Sequence, residues 1–212
     1  MIQKYTPPSL PQVHPKHEKQ RCLCYATAFK KSTFVKNMIF LKGNKVHLRG
    51  LSESDLNGNY VHWLNDTEVC EYNNHHRFAY SKSQAEEYIK SSYNKHELVL
   101  AMCDNETDIH IGNISLQKID WINRNAEFAI LLGEKTYWGK GFAKEAAKLI
   151  IKHGFMELNL TRIYCGTSKE NIGMQKLALA LGMVHEGTRE KALFKHGTYT
   201  DILEYGLINP NF

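Results

Sequence analysis

The sequence predicts a single domain of the α/β (α+β) class, with a mixed, mostly antiparallel sheet of six to seven strands flanked by about four helices. Its 212 residues and 42% hydrophobic content are typical of one globular domain. From Met38 onward, apolar runs with strand-like alternation are interspersed with stretches of helical periodicity. Their order, β-α-α-β-β-β-α-β-α-β-β, indicates a sheet with helices packed against it.

The individual elements follow from residue type and spacing. Strands are expected where apolar and β-branched residues alternate or run together: 45–49, 98–103, 110–117, 125–132, 161–166, 183–189 and 199–207. Helices are expected where apolar residues recur at helical spacing: 56–64, 82–93, 140–158 and 172–181. Ser52, Ser54 and Asp55 are suitable caps for the first helix, while Asn171 caps the last helix and Gly182 ends it.

Residues 1–37 differ from the rest of the chain in charge and proline content. They hold seven Lys or Arg and one acid, a net charge of +6, so the chain's total of +5 leaves −1 for the other 175 residues. Four of the five prolines also fall within the first fifteen residues. Three interpretations stay open: a disordered tail, an annotation artefact with translation starting at Met38, or a targeting presequence. Residues 38–212 are expected to form the domain.

Composition argues against several classes of protein. The basic excess lies in the N-terminal segment, so the body lacks the positive charge typical of nucleic-acid binders. No apolar run approaches the roughly 20 residues that span a bilayer, and no secretory signal is evident. The five cysteines are scattered without a C-x-x-C pair, which favours a reducing, cytoplasmic compartment over a disulfide framework or zinc site. Adjacent His75 and His76 diverge in direction and have no evident third ligand, so no metal is expected.

Gly139 and Gly141 lie between a predicted strand and a long predicted helix. Without a Cβ atom they let backbone N–H groups approach a ligand, and the helix start adds free N–H groups and the positive end of its dipole. This arrangement is typical of a pyrophosphate cradle, and a tight structural turn is the alternative interpretation. The third glycine of the dinucleotide-binding fingerprint and the Gly-Lys-Ser/Thr ending of a Walker loop are both missing.

A wider pattern surrounds these glycines. A strand leads into 137–143 (YWGKGFA), a long helix and a short strand follow, and then come Asn171 and 181–183 (LGM). Over about residues 40–208, this pattern resembles the GNAT superfamily of acetyl-CoA-dependent N-acetyltransferases. The closing segments 186–189 and 199–201 resemble its branch of ribosomal-protein N-terminal acetyltransferases and small-molecule, amino-sugar relatives. The resemblance implies a GNAT-type domain, with a V-shaped splay between the fourth and fifth predicted strands that takes the pantetheine arm of acetyl-CoA.

The resemblance also implies which residues bind acetyl-CoA. They are Leu131, Leu132, Trp138, Gly139, Lys140, Gly141, Phe142, Ala143, Lys144 and Asn171. Trp138 departs from the family signature, where Gln or Arg is usual, and packing at the helix start is its alternative role. Asn171 has pure helix capping as its alternative. A backbone N–H near Leu131 or Leu132 is the expected oxyanion donor.

Direct attack of a primary amine on the thioester, in a ternary complex, requires a proton acceptor. The resemblance assigns this role to Glu127, which lies fourteen residues before Gly141. A structural salt bridge or a contact with the substrate amine is the alternative. The tyrosine that usually protonates the leaving thiolate is replaced by Ala178, which leaves Tyr164, Ser168 or water as the donor.

The acceptor pocket is expected from the polar and aromatic segment 63–77, with Trp63, Asn74 and His75 as candidate contacts. Such side chains suit a hydroxylated acceptor, so an amino sugar or sugar nucleotide ranks first. A ribosomal-protein N-terminus ranks second, because acids such as Glu68 suit an ammonium, and polyamines or antibiotics rank third. A non-catalytic acyl-CoA-binding module is the alternative outside the enzymes. Neither nucleic acid nor membrane is expected as a partner, while monomer and homodimer both stay open.

Overall fold

The computed structural model describes residues 38–92, 94 and 96–211 of the chain. The predicted N-terminal segment, 1–37, lies outside the described residues. Within them, eight strands form one sheet, and helices cover both of its faces. The predicted α/β class, with a mixed and mostly antiparallel sheet, is confirmed.

The elements and their sheet order are as follows. The strands are β1 Ile39–Lys42, β2 Val46–Gly50, β3 Leu98–Asp104, β4 His110–Asp120, β5 Asn125–Leu132, β6 Arg162–Ser168, β7 Val184–Lys195 and β8 Thr198–Ile208. The α helices are α1 Tyr60–Asn65, α2 Lys82–Ser91, α3 Phe142–Met156 and α4 Ile172–Ala180, with short 3-10 helices at Glu53–Asn57 and Lys135–Tyr137. The strand order is β1-β2-β3-β4-β5-β6-β8-β7, and every neighbouring pair is antiparallel except β5 and β6.

Three features differ from the sequence-based expectations. The sheet gains an eighth strand because β1 pairs with β2 through a turn in which the Gly43 N–H donates to the Val46 carbonyl at 2.9 Å. The first predicted helix is split, since a 3-10 turn ends at Gly58 before α1 begins. α3 begins two residues late because Gly141 is its N-cap, with a φ of +87°.

Alternate residues of β3 serve two hydrophobic clusters, one on each face of the sheet. Leu100 and Met102 belong to the cluster that includes α3, whereas Ala101 and Cys103 belong to the one that includes α1 and α2. α3 approaches the sheet closely at Gly154, where a Cβ atom would lie 2.8 Å from a Leu116 methyl carbon. Packing on both faces therefore holds the central strands in place.

β5 and β6 separate after a short parallel pairing. Residues 125–127 pair with 162–164, and no later pairs join the two strands. β6 nevertheless continues to pair with β8 as far as Ser168. These two strands correspond to the fourth and fifth strands of the prediction, so the V-shaped gap lies where the sequence resemblance places it.

Candidate active site

A cleft of about 640 Å³ occupies the gap between β5 and β6. Its described walls come from β5, β6, α4, the glycine turn with the start of α3, and the segment that follows α1. They are Glu68, Val69, Glu71, Tyr72, Asn73, Glu127, Phe128, Ala129, Ile130, Leu131, Leu132, Trp138, Gly139, Ala143, Gly166, Thr167, Asn171, Gly173, Met174 and Leu177. The cleft therefore runs from the point where the strands part to the start of α3.

The glycine turn at the outer end of the cleft fits a phosphate group. Gly139 and Gly141 have φ angles of +71° and +87°, a region that other residues adopt only with strain. No side chain caps the start of α3 at Gly141. The first N–H groups of the helix and its dipole are thus directed outward, as anion binding requires.

Lys45, at the turn into β2, adds a positive charge beside this turn. Its ammonium donates to the carbonyl of Lys140 at 3.2 Å, and a Cβ atom on Gly141 would lie 4.0 Å from it. Its backbone N–H donates to the carboxylate of Glu145 on α3 at 2.9 Å. Lys45 is 96 residues from Gly141 in sequence, so no local pattern could have identified it.

All ten predicted cofactor residues lie at the cleft or directly beside it. Leu131, Leu132, Trp138, Gly139, Ala143 and Asn171 line it, and Lys140, Gly141, Phe142 and Lys144 form the adjacent turn and helix start. The indole N–H of Trp138 donates to the carbonyl of Leu132 at 2.8 Å, so this side chain braces the turn against β5. The Asn171 side chain accepts from the N–H of Met174 at 3.0 Å and caps α4, while still contacting the cleft.

The register of β5 decides which backbone N–H groups face the gap. Gly112 pairs with Leu132, and the N–H of Gly133 donates to the carbonyl of Ile111 at 3.0 Å. In an antiparallel ladder this makes Gly112 and Leu132 a non-hydrogen-bonded pair. The N–H groups of Ile130 and Leu132 therefore point toward β6, whereas that of Leu131 points toward β4. Of the two predicted oxyanion donors, the geometry favours Leu132 over Leu131.

Glu127 lies at the inner end of the cleft, where the strands part. Its carboxylate is 2.7 Å from the ammonium of Lys118, and its side chain is 27% exposed. Lys118 lies in the irregular stretch of β4 between Gln117 and Asp120, with a φ of +49°. Hydrogen bonding to Glu127 raises the pKa of Lys118.

The structure narrows the candidates for protonating the thiolate. Ala178, at the position of the usual tyrosine, is fully buried. Ser168 is also buried and donates to the carboxylate of Glu170 at 2.5 Å. Tyr164 pairs with Glu127 in the parallel register, so these two side chains extend from the same face of the sheet. Tyr164 is therefore better placed than Ser168.

A second cavity, of about 330 Å³, lies on the opposite side of β5 and is called the acceptor cavity below. It shares Asn73, Ala129, Ile130 and Leu131 with the cleft. Its other described walls are Tyr60, Leu64, His75, Tyr80, Tyr88, Val99, Asn113, Ser115 and Gln117. No Asp, Glu, Lys or Arg occurs among these described lining residues, so the cavity is polar without carrying a formal carboxylate or ammonium charge.

The structure places the three predicted acceptor residues in different environments. His75 lines the acceptor cavity, so its role as a substrate contact stays a prediction. Trp63 is wrong as a direct contact, because it is 4% exposed, packs edge-on against His110 and donates to Glu134 at 3.0 Å. Asn74 is exposed and is not among the lining residues of the two cavities. Its neighbour Asn73 faces both instead.

Several carboxylates near the cleft lie close to basic side chains of the same chain. Lys135 contacts Asp66 at 2.9 Å and Glu68 at 2.6 Å, and His196 lies 3.2 Å from Glu71. Lys118 and Lys135 thus compensate part of the negative charge at this end of the molecule, since Lys135 is shared by two carboxylates. In the described residues, no cluster of three or more His, Cys, Asp or Glu has the arrangement of a metal site.

Comparison with known proteins identifies the family. The Acetyltransferase (GNAT) domain family matches residues 45–184. Spermidine N(1)-acetyltransferase of Escherichia coli K12 is 32% identical over 169 residues, which span 76% of this chain and 84% of that protein. The crystal structure of spermidine N-acetyltransferase from Vibrio cholerae, in complex with CoA and spermine, has a TM-score of 0.71 at 27% identity and covers 78% of this chain and 96% of that one.

The ribosomal L7/L12 alpha-N-protein acetyltransferase RimL, in complex with CoA, shares the fold at a TM-score of 0.72 and 16% identity, over 78% of this chain and 95% of that one. The chain belongs to the GNAT family of acetyltransferases. It is an acyltransferase that uses acetyl-CoA as cosubstrate and an amine as acceptor.

None of the helices in the described part of the chain is long and apolar enough to cross a membrane.

Proposed function

We propose that the protein acetylates the primary amine of a small, hydroxylated molecule, such as an amino sugar or its nucleotide derivative. The observation that carries this proposal is the lining of the acceptor cavity. Three tyrosines face a row of amide and hydroxyl side chains on β4, namely Asn113, Ser115 and Gln117. Hydroxyl and amide groups both donate and accept hydrogen bonds, as a polyhydroxylated acceptor requires.

The arrangement of the two cavities supports direct transfer in a ternary complex. They meet at Ala129, Ile130 and Leu131, so an amine in the acceptor cavity has a path to a thioester in the cleft. Acetyl-CoA supplies the activated acetyl group. Glu127 then takes the proton of the attacking amine, and the N–H of Leu132 or Ile130 stabilises the charge that develops on the carbonyl oxygen.

Spermidine is the second candidate, and the relatives favour it. Spermidine acetyltransferases are 32% identical to this chain over most of its length. A polyamine carries several ammonium groups, however, and its recognition requires carboxylates that are free to pair with them. Around this site, Glu68 and Glu127 contact lysine ammonium groups of the protein, so a polyamine would have to displace them. A protein N-terminus, which ranks second from the sequence, becomes the third candidate.

An acceptor panel tests the proposal. The protein is mixed with acetyl-CoA and either glucosamine, an amino-sugar nucleotide, spermidine or an N-terminal ribosomal peptide, and the free CoA thiol is measured. We expect kcat/KM for an amino sugar or its nucleotide to exceed that for spermidine by about tenfold or more, since each unmatched buried polar contact weakens recognition by about 1–3 kcal/mol. Faster turnover of spermidine would contradict the proposal and support the second candidate.

A further inference from the structure

A buried polar network lies behind the acceptor cavity. Arg49 donates to Asp55 through both terminal nitrogens, at 2.9 and 2.5 Å, and His110 Nδ1 lies 3.4 Å from Asp55 Oδ1. The side chains of Arg49, Asp55 and His110 are only 7%, 3% and 10% exposed. These contacts, together with the rings of Tyr60 and Trp63, fix the imidazole of His110 in one orientation.

The other nitrogen of His110 determines the orientation of a neighbouring amide. His110 Nε2 lies 2.9 Å from the carbonyl oxygen of Gly112 and 2.8 Å from Oδ1 of Asn113. A backbone carbonyl can only accept, so Nε2 carries a hydrogen whether or not Nδ1 is also protonated. Asn113 must therefore present its oxygen to His110, and its NH₂ group lies at the other end of the amide.

One hydrogen of that NH₂ group bonds to the hydroxyl oxygen of Tyr60, and the other is left for the acceptor cavity, which both residues line. Burial raises the pKa of Tyr60, so its hydroxyl also keeps its proton. The back wall of the cavity thus offers hydrogen-bond donors. The NH₂ group of Asn113 can only donate, so it binds an oxygen atom and disfavours the N–H groups of an ammonium.

We propose that Asn113 is a specificity-determining residue, whose NH₂ group selects acceptors bearing a hydroxyl or carbonyl oxygen near the reacting amine. His110 is a positioning residue that fixes this orientation, with Asp55 and Arg49 holding it in turn. The inference rests on the proposed acceptor class and deepens it. According to this inference, the fixed orientation of the Asn113 amide determines whether the protein prefers hydroxylated amines or polyamines.

The substitution Asn113→Asp tests the inference directly. The carboxylate keeps the shape and accepts from His110, but it offers an acceptor to the cavity instead of a donor. We expect kcat/KM for the best amino-sugar acceptor to fall roughly tenfold and that for spermidine to rise, because a neutral hydrogen bond is lost and a cation partner is gained. The KM for acetyl-CoA should stay within about twofold, since the amide does not line the cleft. Asn57→Asp is the matched control, since it adds the same charge at an exposed position.

A second pair of variants tests the positioning role. His110→Phe keeps a ring but removes the N–H donor, so the side-chain amide of Asn113 can rotate and exchange its oxygen and NH₂ positions. The preference for amino sugars over spermidine should then shrink several-fold. His110→Gln retains an N–H donor and should restore most of that preference. A merely structural role would lower the melting temperature in both variants without changing the ratio of the two substrates.

The outcomes separate the two proposals. Wild-type preference for spermidine would overturn the proposed function, and with it the selective role of Asn113. Wild-type preference for amino sugars with an unchanged ratio in Asn113→Asp would overturn the inference alone. If the aspartate variant fails to bind acetyl-CoA in a thermal-shift assay, Asn113→Leu replaces it. That variant should lose amino-sugar turnover without gaining spermidine turnover, and an unchanged ratio there would also overturn the inference.

Discussion

The carboxylate of Glu127 lies 2.7 Å from the ammonium of Lys118, at the point where β5 and β6 stop pairing. Residue 127 is therefore both the inner end of the cleft and one half of an ion pair. These two facts correspond to the catalytic and the structural interpretation of the same side chain. The two interpretations predict different effects on kcat for variants of Glu127 and Lys118.

Glu127→Gln is expected to lower kcat by about 10²–10⁴, because glutamine keeps the shape but cannot take a proton. Acetyl-CoA affinity should barely change. Lys118→Met breaks the same ion pair while leaving the carboxylate in place, and it should keep kcat within a few-fold of the wild type. Steady-state kinetics with saturating acceptor measure both. Equal losses in the two variants would assign Glu127 a structural role, and a raised acceptor KM with intact kcat would make it a substrate anchor.

Gly141→Val is expected to abolish acetyl-CoA binding, because a branched residue at a φ of +87° displaces the N–H groups that start α3. In the wild type, acetyl-CoA at a hundredfold excess over its dissociation constant should stabilise the fold by about 2.7 kcal/mol. Gly197→Val is the matched control, since it imposes similar strain at a φ of +76° in the β7–β8 turn. Thermal shifts with and without acetyl-CoA give the comparison. A normal shift in Gly141→Val would place the phosphate cradle elsewhere.

Lys45→Met is expected to weaken acetyl-CoA binding by roughly three- to tenfold at low salt, and by less at high salt, because exposed charges are screened. The reason is that its ammonium lies beside the glycine turn, where it attracts the phosphates of the cosubstrate. Lys42→Met removes the same charge from exposed β1 and serves as the control. Titration calorimetry at two ionic strengths measures the effect. Identical affinities of the two variants would show that only net charge matters.

Residue patterns contain local information, and the features they predict correctly without the family resemblance are local. Gly139 and Gly141 precede a helix in sequence, so their turn and the start of α3 could be predicted from neighbouring residues. Lys45 and Lys118 reach the site through the tertiary fold, from a turn and an irregular strand that no periodicity reveals. Trp63 was expected to contact the acceptor because it lies in a polar segment of the sequence. In the structure it lies on α1, and its side chain is packed in the hydrophobic core. Asn113 has a role only because His110 and Asp55 meet behind it.

The buried Asp55 should make stability depend on acid pH. Burial opposes its charge, but the hydrogen bonds from Arg49 prevail and lower its pKa below the ordinary 3.8. A group with a lowered folded-state pKa contributes stability that is complete above the unfolded value and is lost as the pH falls through the folded value. At pH 7, Asp55→Asn should reduce the free energy of unfolding by about 3–5 kcal/mol, because it leaves Arg49 charged and buried without its partner.

Urea unfolding of the wild type and Asp55→Asn at pH 7, 5 and 3 measures this difference. The gap between them should be constant down to about pH 4 and shrink below it, since the wild-type carboxyl then takes up a proton on unfolding. Asp108→Asn is the control, because Asp108 pairs with His47 at 3.2 Å but its side chain is 70% exposed. Its loss should be under about 1 kcal/mol. A gap that persists unchanged at the lowest pH would mean that Asp55 stabilises the fold by packing and not by its charge.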